Sequence, residues 1–120
     1  MRTIEEIYKE VESTPDFSGH KISFANYRND YGDTPLHIVC NWGDCEAIQA
    51  LVSEGADLNA IGETGFTPLH CAAEQNKPEV INLLIKLGAQ IVTNTNGETP
   101  VELAQYLGCM EAVSAFNQNI

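Results

Sequence analysis

Apolar residues recur along this chain in short stripes, each closed by Gly or Asn before the next begins. Ala47, Ile48, Leu51 and Val52 form one stripe; Val80, Ile81, Leu84 and Ile85 form another. Both follow i, i+1, i+4, i+5 spacing, which gathers the side chains on one face of a helix. Gly55 and Gly88 follow where a helix ends in the left-handed conformation. Ahead of each stripe stands a second helix signal. Thr34, Thr67 and Thr99 are N-caps, and each precedes a Pro at the first helical position, where the missing N–H costs nothing. The pattern predicts first helices over 35–41, 68–74 and 100–106, stopped by Gly43, Asn76 and Gly108. Residues 3–12 predict one more amphipathic helix, with Ile4, Ile7, Tyr8 and Val11 inward and its glutamates outward.

These signals repeat. Thr34-Pro35-Leu36-His37 recurs as Thr67-Pro68-Leu69-His70 at an offset of 33, and Gly32, Leu51 and Gly55-Ala56 keep that register with Gly65, Leu84 and Gly88-Ala89. A third copy begins at Gly97, with Thr99-Pro100-Val101-Glu102 at an offset of 32; the missing residue falls between Val92 and Gly97. Asn26 precedes Gly32 by six, as Asn59 precedes Gly65. Self-similarity at this period is the signature of a stacked array. One continuous domain is expected: a capping helix and linker over 1–28, units over 29–61 and 62–93, and a terminal unit with its cap over 94–120. The 13–21 linker is longer than a repeat requires, and Phe17 is placed to shield the first unit.

Unit two, with Gly65, Thr67-Pro68-Leu69-His70, Ala72-Ala73, Leu84 and Gly88-Ala89, resembles the ankyrin repeat family. The resemblance spans about residues 26–117. It departs from the family pattern at Val39-Cys40 and Ala47-Ile48 in unit one, Asn76 in unit two, and Glu102 and Gln105 in unit three. It implies an all-α solenoid of stacked helix-turn-helix units joined by β-turn or hairpin loops. It also implies a non-catalytic module that binds another protein.

Charge sharpens that expectation. Seventeen Asp and Glu against six Lys and Arg give a net charge of −11, which repels nucleic acid and anionic membrane surfaces and favours a basic partner. No apolar run approaches the roughly 18 residues of a membrane span, and the Glu-studded N-terminus lacks a signal-peptide core. A cytoplasmic chain with reduced thiols is expected. His37 and His70 near Cys40 and Cys71 suggest zinc, but the repeat register puts the two cysteines at different helix positions, and structural zinc needs four converging ligands. Cys45 and Cys109 lie near helix starts without a sequence-adjacent histidine, and no phosphate loop or nucleophile elbow is present. No enzyme activity, cofactor or metal is expected.

In the ankyrin family, partners lie along the turn tips and the outer side of the first helices. By register this implies Asp30, Tyr31, Asp33, Asn41, Trp42 and Glu54 in unit one. Unit two supplies Glu63, Thr64, Phe66, Glu74 and Gln75, and unit three Asn96, Glu98, Tyr106 and Leu107. None is Lys or Arg; six are acids and four are aromatic. Aromatic anchors among polar groups suit a protein-binding hot spot, with Trp42 and Tyr31 supplying affinity and the acids steering. A small acidic solenoid of this kind resembles bacterial immunity proteins, which implies neutralisation of a basic toxin such as a nuclease. The alternatives are a generic adaptor or regulatory subunit and, more remotely, a cysteine-dependent enzyme or redox sensor. The free chain is expected to be a monomer.

Overall fold

A computed structural model describes residues 1–119. Helix α1 (Ile4–Glu12) precedes three helix pairs: α2 (Pro35–Trp42) with α3 (Cys45–Ser53), α4 (Pro68–Glu74) with α5 (Pro78–Leu87), and α6 (Pro100–Leu107) with α7 (Met110–Gln118). Single 3-10 turns occupy Pro15–Phe17 and Glu63–Gly65, and no strand forms among the described residues. The first helices α2, α4 and α6 pack in series as an inner layer, and α3, α5 and α7 form the outer one. The predicted helices are present, with α2 and α6 each one residue longer than the pattern marked.

The stack holds together because every unit exports part of its apolar face to the next. Leu36, Val39, Cys40, Ile48 and Leu51 of unit one, and Leu69, Ala72, Ala73, Ile81 and Leu84 of unit two, are fully buried in one continuous core. Ala104, Ala112 and Phe116 extend the core into the last unit, while Ile7, Val11 and Phe17 close it at the other end. At about 25 cal/mol per Å² of apolar area, this shared spine supplies the main stabilising term that no single unit could supply alone.

Polar ties fix the spacing of the units. Nδ1 of His37 accepts the Thr34 N–H at 3.0 Å, and Nδ1 of His70 accepts the Thr67 N–H at 3.2 Å. Each ring then carries its proton on Nε2, which lies 2.9 Å from the next unit's Phe66 or Glu98 carbonyl oxygen. One side chain thus caps its own helix and holds the following turn. Glu102 keeps only half of that role: its Oε1 accepts the Thr99 N–H at 2.9 Å, but a carboxylate has no N–H to donate to the next turn. On another edge, Asn26 accepts the Asp57 N–H at 2.7 Å and Asn59 accepts the Gln90 N–H at 2.8 Å, which explains their matching register.

Asn76 takes the left-handed turn (φ 54°) where Gly43 and Gly108 end their own first helices. It also does what glycine cannot. Its Nδ2 donates to Glu111 at 2.6 Å and its Oδ1 accepts the Ala112 N–H at 2.9 Å, joining α4 to the start of α7.

The N-terminal segment is folded back onto the stack. Arg2 donates to Asp44 at 2.6 Å, Glu10 at 2.7 Å and Glu46 at 2.8 Å, bridging α1 to α3, and these carboxylates raise its pKa further. Asp44 also accepts the Ala47 N–H, so the ion cluster caps α3 as well. In the linker, Phe17 is fully buried and packs edge-on to His20, which in turn meets Tyr27. Asn29 donates to the Asp16 carbonyl at 3.0 Å, and Glu12 accepts the Ile22 N–H at 2.7 Å.

Candidate binding surface

Between units one and two the inner face opens into a cleft of about 300 Å³. Six residues selected from the sequence line it: Asp33, Asn41, Glu63, Thr64, Phe66 and Glu74. Asp16 and Cys71 complete the lining. Turn tips place Asp33, Glu63, Thr64 and Phe66, whereas the ends of α2 and α4 place Asn41 and Glu74. Four carboxylates therefore share one concavity, and no cation lines it.

The six basic residues of the chain are placed elsewhere. Arg2 is bound by three acids, and Arg28 donates to the Gly32 and Ile61 carbonyls at 2.6 and 2.9 Å. Lys9 lies on α1, Lys21 in the linker, and Lys77 and Lys86 at the two ends of α5. Carboxylates of one sign on a shared concave surface add to a common negative potential there.

Local geometry fixes the Asp33 carboxylate. Asp33 Oδ1 accepts the Glu63 N–H at 2.9 Å, which ties two successive turn tips together. The backbone at Gly62 passes so close that a Cβ there would meet this oxygen at 2.1 Å. Thr64 sits at φ 57°, a left-handed conformation that is costly for a β-branched residue, while its carbonyl accepts the Thr95 N–H at 3.1 Å. The ring of Phe66 lies 5.3 Å from that of His70.

Cys71 is buried at the cleft. Burial first, then the Asp33 and Glu74 charges, push its thiol well above the usual range. Burial does the same to Cys40, assisted by Cys71 and Cys45. Both thiols stay protonated at neutral pH, so neither supplies a thiolate nucleophile. Burial lowers the pKa of His37 and of His70, and their ring nitrogens are engaged in the ties between units. Among the described residues, no three of His, Cys, Asp and Glu converge on a metal position.

The other sequence-selected residues lie outside the cleft. Tyr31 is 57% exposed and Trp42 42%, both in unit one; Tyr106 is 80% exposed and Leu107 46%, at the end of α6. Gln75 caps the C-terminus of α4. Asp30 projects into solvent, 3.3 Å from His20 Nε2. Asn96 and Glu98 belong to the third turn, where both N–H groups donate to Asn94 Oδ1 at 3.0 Å. Glu54 stands apart: it caps the far end of α3 and its charge acts on Tyr8 of α1. Sequence reasoning did not select Asp16 or Cys71. For Asp16 the available signal was neighbouring Phe17, whose burial brings the linker back to the first unit.

The sequence profile described as "Ankyrin repeats (3 copies)" matches residues 18–95 and 63–119. The chain belongs to the ankyrin repeat family. Ankyrin repeats are protein-interaction modules, and this ankyrin-repeat chain is similar to relatives of diverse kinds. It is 50% identical to an ankyrin repeat protein of Rickettsia bellii (strain RML369-C), over 66% of this chain and 51% of that one. It is 37% identical to protein phosphatase 1 regulatory subunit 27 of Homo sapiens, over 69% of this chain and 54% of that one. It is 30% identical to nuclear factor NF-kappa-B p105 subunit of Gallus gallus, over 88% of this chain and 11% of that one. The chain thus spans about half the length of the first two relatives and a small part of the third. No helix among the described residues is long and apolar enough to cross a membrane.

Proposed function

We propose that this ankyrin-repeat protein is a binding subunit that takes a basic segment of a partner protein against its inner face. One observation carries the reading: four carboxylates line a single cleft that contains no cation. Asp33 ties two turn tips through the Glu63 N–H, but among the described residues no cation pairs with Asp16, Glu63 or Glu74 as Arg2 pairs with Asp44, Glu10 and Glu46. The exposed aromatics Tyr31 and Trp42 of unit one and Tyr106 of unit three supply contact area that acids cannot. Acids then set encounter rate and partner choice, and aromatics set residence time.

The experiment is capture from native lysate with the parent and with Glu63→Lys/Glu74→Lys, at low and at physiological salt. A basic partner held by the parent, shed by the variant and weakened by salt is the expected result, because the Debye length shrinks to about 8 Å at physiological ionic strength. Equal recovery of the same proteins on both baits refutes the reading. Trp42→Ala should weaken the captured complex by about 2 kcal/mol or more if Trp42 is an anchor.

A regulatory role is favoured by a relative's name, since protein phosphatase 1 regulatory subunit 27 aligns over 69% of this chain. Toxin neutralisation is the narrower form of the same proposal and has only the charge balance behind it. Four free cysteines suit a reducing cytoplasm, the compartment we propose, with the chain monomeric until it meets its partner.

A further inference from the structure

The inner face changes character along the stack. Cys71 and Glu74 line the acidic cleft. One unit on, at an offset of 32, Leu103 and Tyr106 hold the same register positions, with Leu107 beside them in place of Gln75. Tyr106 and Leu107 are 80% and 46% exposed, an apolar ledge where unit two presents Glu74 and Gln75. The one acid of the adjoining turn is engaged, since Glu98 Oε1 accepts Asn94 Nδ2 at 3.1 Å. At the opposite end the cleft is walled by Asp16, on a linker pinned by Asn29 and by buried Phe17. The inner face therefore carries an acidic stretch between units one and two and an exposed apolar ledge on α6, with Trp42 the exposed aromatic at the Leu107 register position of unit one.

We infer that the segment bound there is bipartite, with a basic side chain seated against Asp16, Glu63 and Glu74 and apolar side chains lying over Tyr106 and Leu107. This rests on the inner-face reading above and adds the composition of the bound segment and the spacing of its two parts. Charge complementarity assigns the basic end, because the cleft holds four carboxylates and no cation. Apolar complementarity assigns the other end. The cleft lies between α2 and α4 and the ledge on α6, about one and a half helix spacings away. At about 8–10 Å per spacing and about 3.3 Å per residue of extended chain, the two parts are separated by about four residues, within a range of about three to five.

The test pans the full chain against a random 12-residue peptide library and maps enriched synthetic peptides by amide chemical shifts. Two variants accompany it: Glu63→Gln/Glu74→Gln for the cleft and Tyr106→Ser/Leu107→Ser for the ledge, all at exposed positions. The expected peptides carry Lys or Arg three to five residues from Leu, Ile, Phe or Trp, shift both regions, and lose about tenfold in affinity with either variant. Basic peptides that shift the cleft, lack the spaced apolar residue and bind the ledge variant unchanged overturn the bipartite segment but leave inner-face binding intact. Shifts confined to α3, α5 and α7, or no enrichment of basic residues, overturn both.

Discussion

Mild acid should loosen the stack through its two linking histidines. In the folded protein each ring is neutral by construction: Nδ1 accepts a backbone N–H, and Nε2 donates to a carbonyl one unit on. Protonating Nδ1 would break the first of these bonds and place a charge in a fully buried site. Burial is the dominant cause of the lowered pKa at His37 and His70; the accepting carbonyls and the charges of Asp33 and Glu98 pull the other way without winning. The unfolded chain binds these protons near pH 6.5, whereas the folded chain binds them only at lower pH. Stability is therefore present above pH 6.5 and lost as pH falls below it. Each histidine contributes at most about 1.4 kcal/mol per pH unit, so from pH 7 to pH 5.5 the pair accounts for up to about 2.5 kcal/mol. Carboxylates that cap helices, Glu6 and Glu102 among them, have pKa values below the usual range and lose their contribution at lower pH still. The assay is urea unfolding by circular dichroism and Trp42 fluorescence at half-unit steps from pH 7.5 to 5. A His37→Gln/His70→Gln variant should be less stable at pH 7 and should lose the slope. A flat profile in the parent, or an equal slope in the variant, refutes the assignment.

Two further substitutions test the ties between units. Gly62→Ala should destabilise by about 1–3 kcal/mol in urea unfolding, because its Cβ would displace the Asp33 carboxylate from the Glu63 N–H. Asp33→Ala introduced together with it should recover part of that loss by removing the clash. Asn76→Ala should cost about 2 kcal/mol, and Asn76→Gly less by about 1 kcal/mol, since glycine relieves the left-handed backbone but still forfeits the bonds to α7. A Gly variant more stable than the parent would show that those bonds contribute less than the backbone relief.

The repeat unit was legible because its signals are local. Thr-Pro capping, the apolar stripes and the residues that end the helices all act within a few positions, and a 33-residue offset makes each copy confirm the others. Asn76 shows the limit of such reading. Its left-handed turn could be inferred from the position where glycine stands in the other units, but its tie to Ala112 spans 36 residues. Glu102 shows the converse: losing the histidine looks like a defect in sequence, yet the cap survives and only the onward link is gone.

Sequence alone set the helix-turn-helix period, the order of units, the buried spine and the absence of basic residues from the turn tips, because each follows from backbone preference or composition. Tertiary structure decided which candidates meet. It gathered Asp33, Glu63 and Glu74 at one cleft, added Asp16 from a linker that sequence left open, and set Glu54 apart at the far end of α3. The physical reason is that a cleft exists only between stacked units. Its walls come from residues up to 58 positions apart (Asp16 to Glu74), joined by packing that no local pattern encodes.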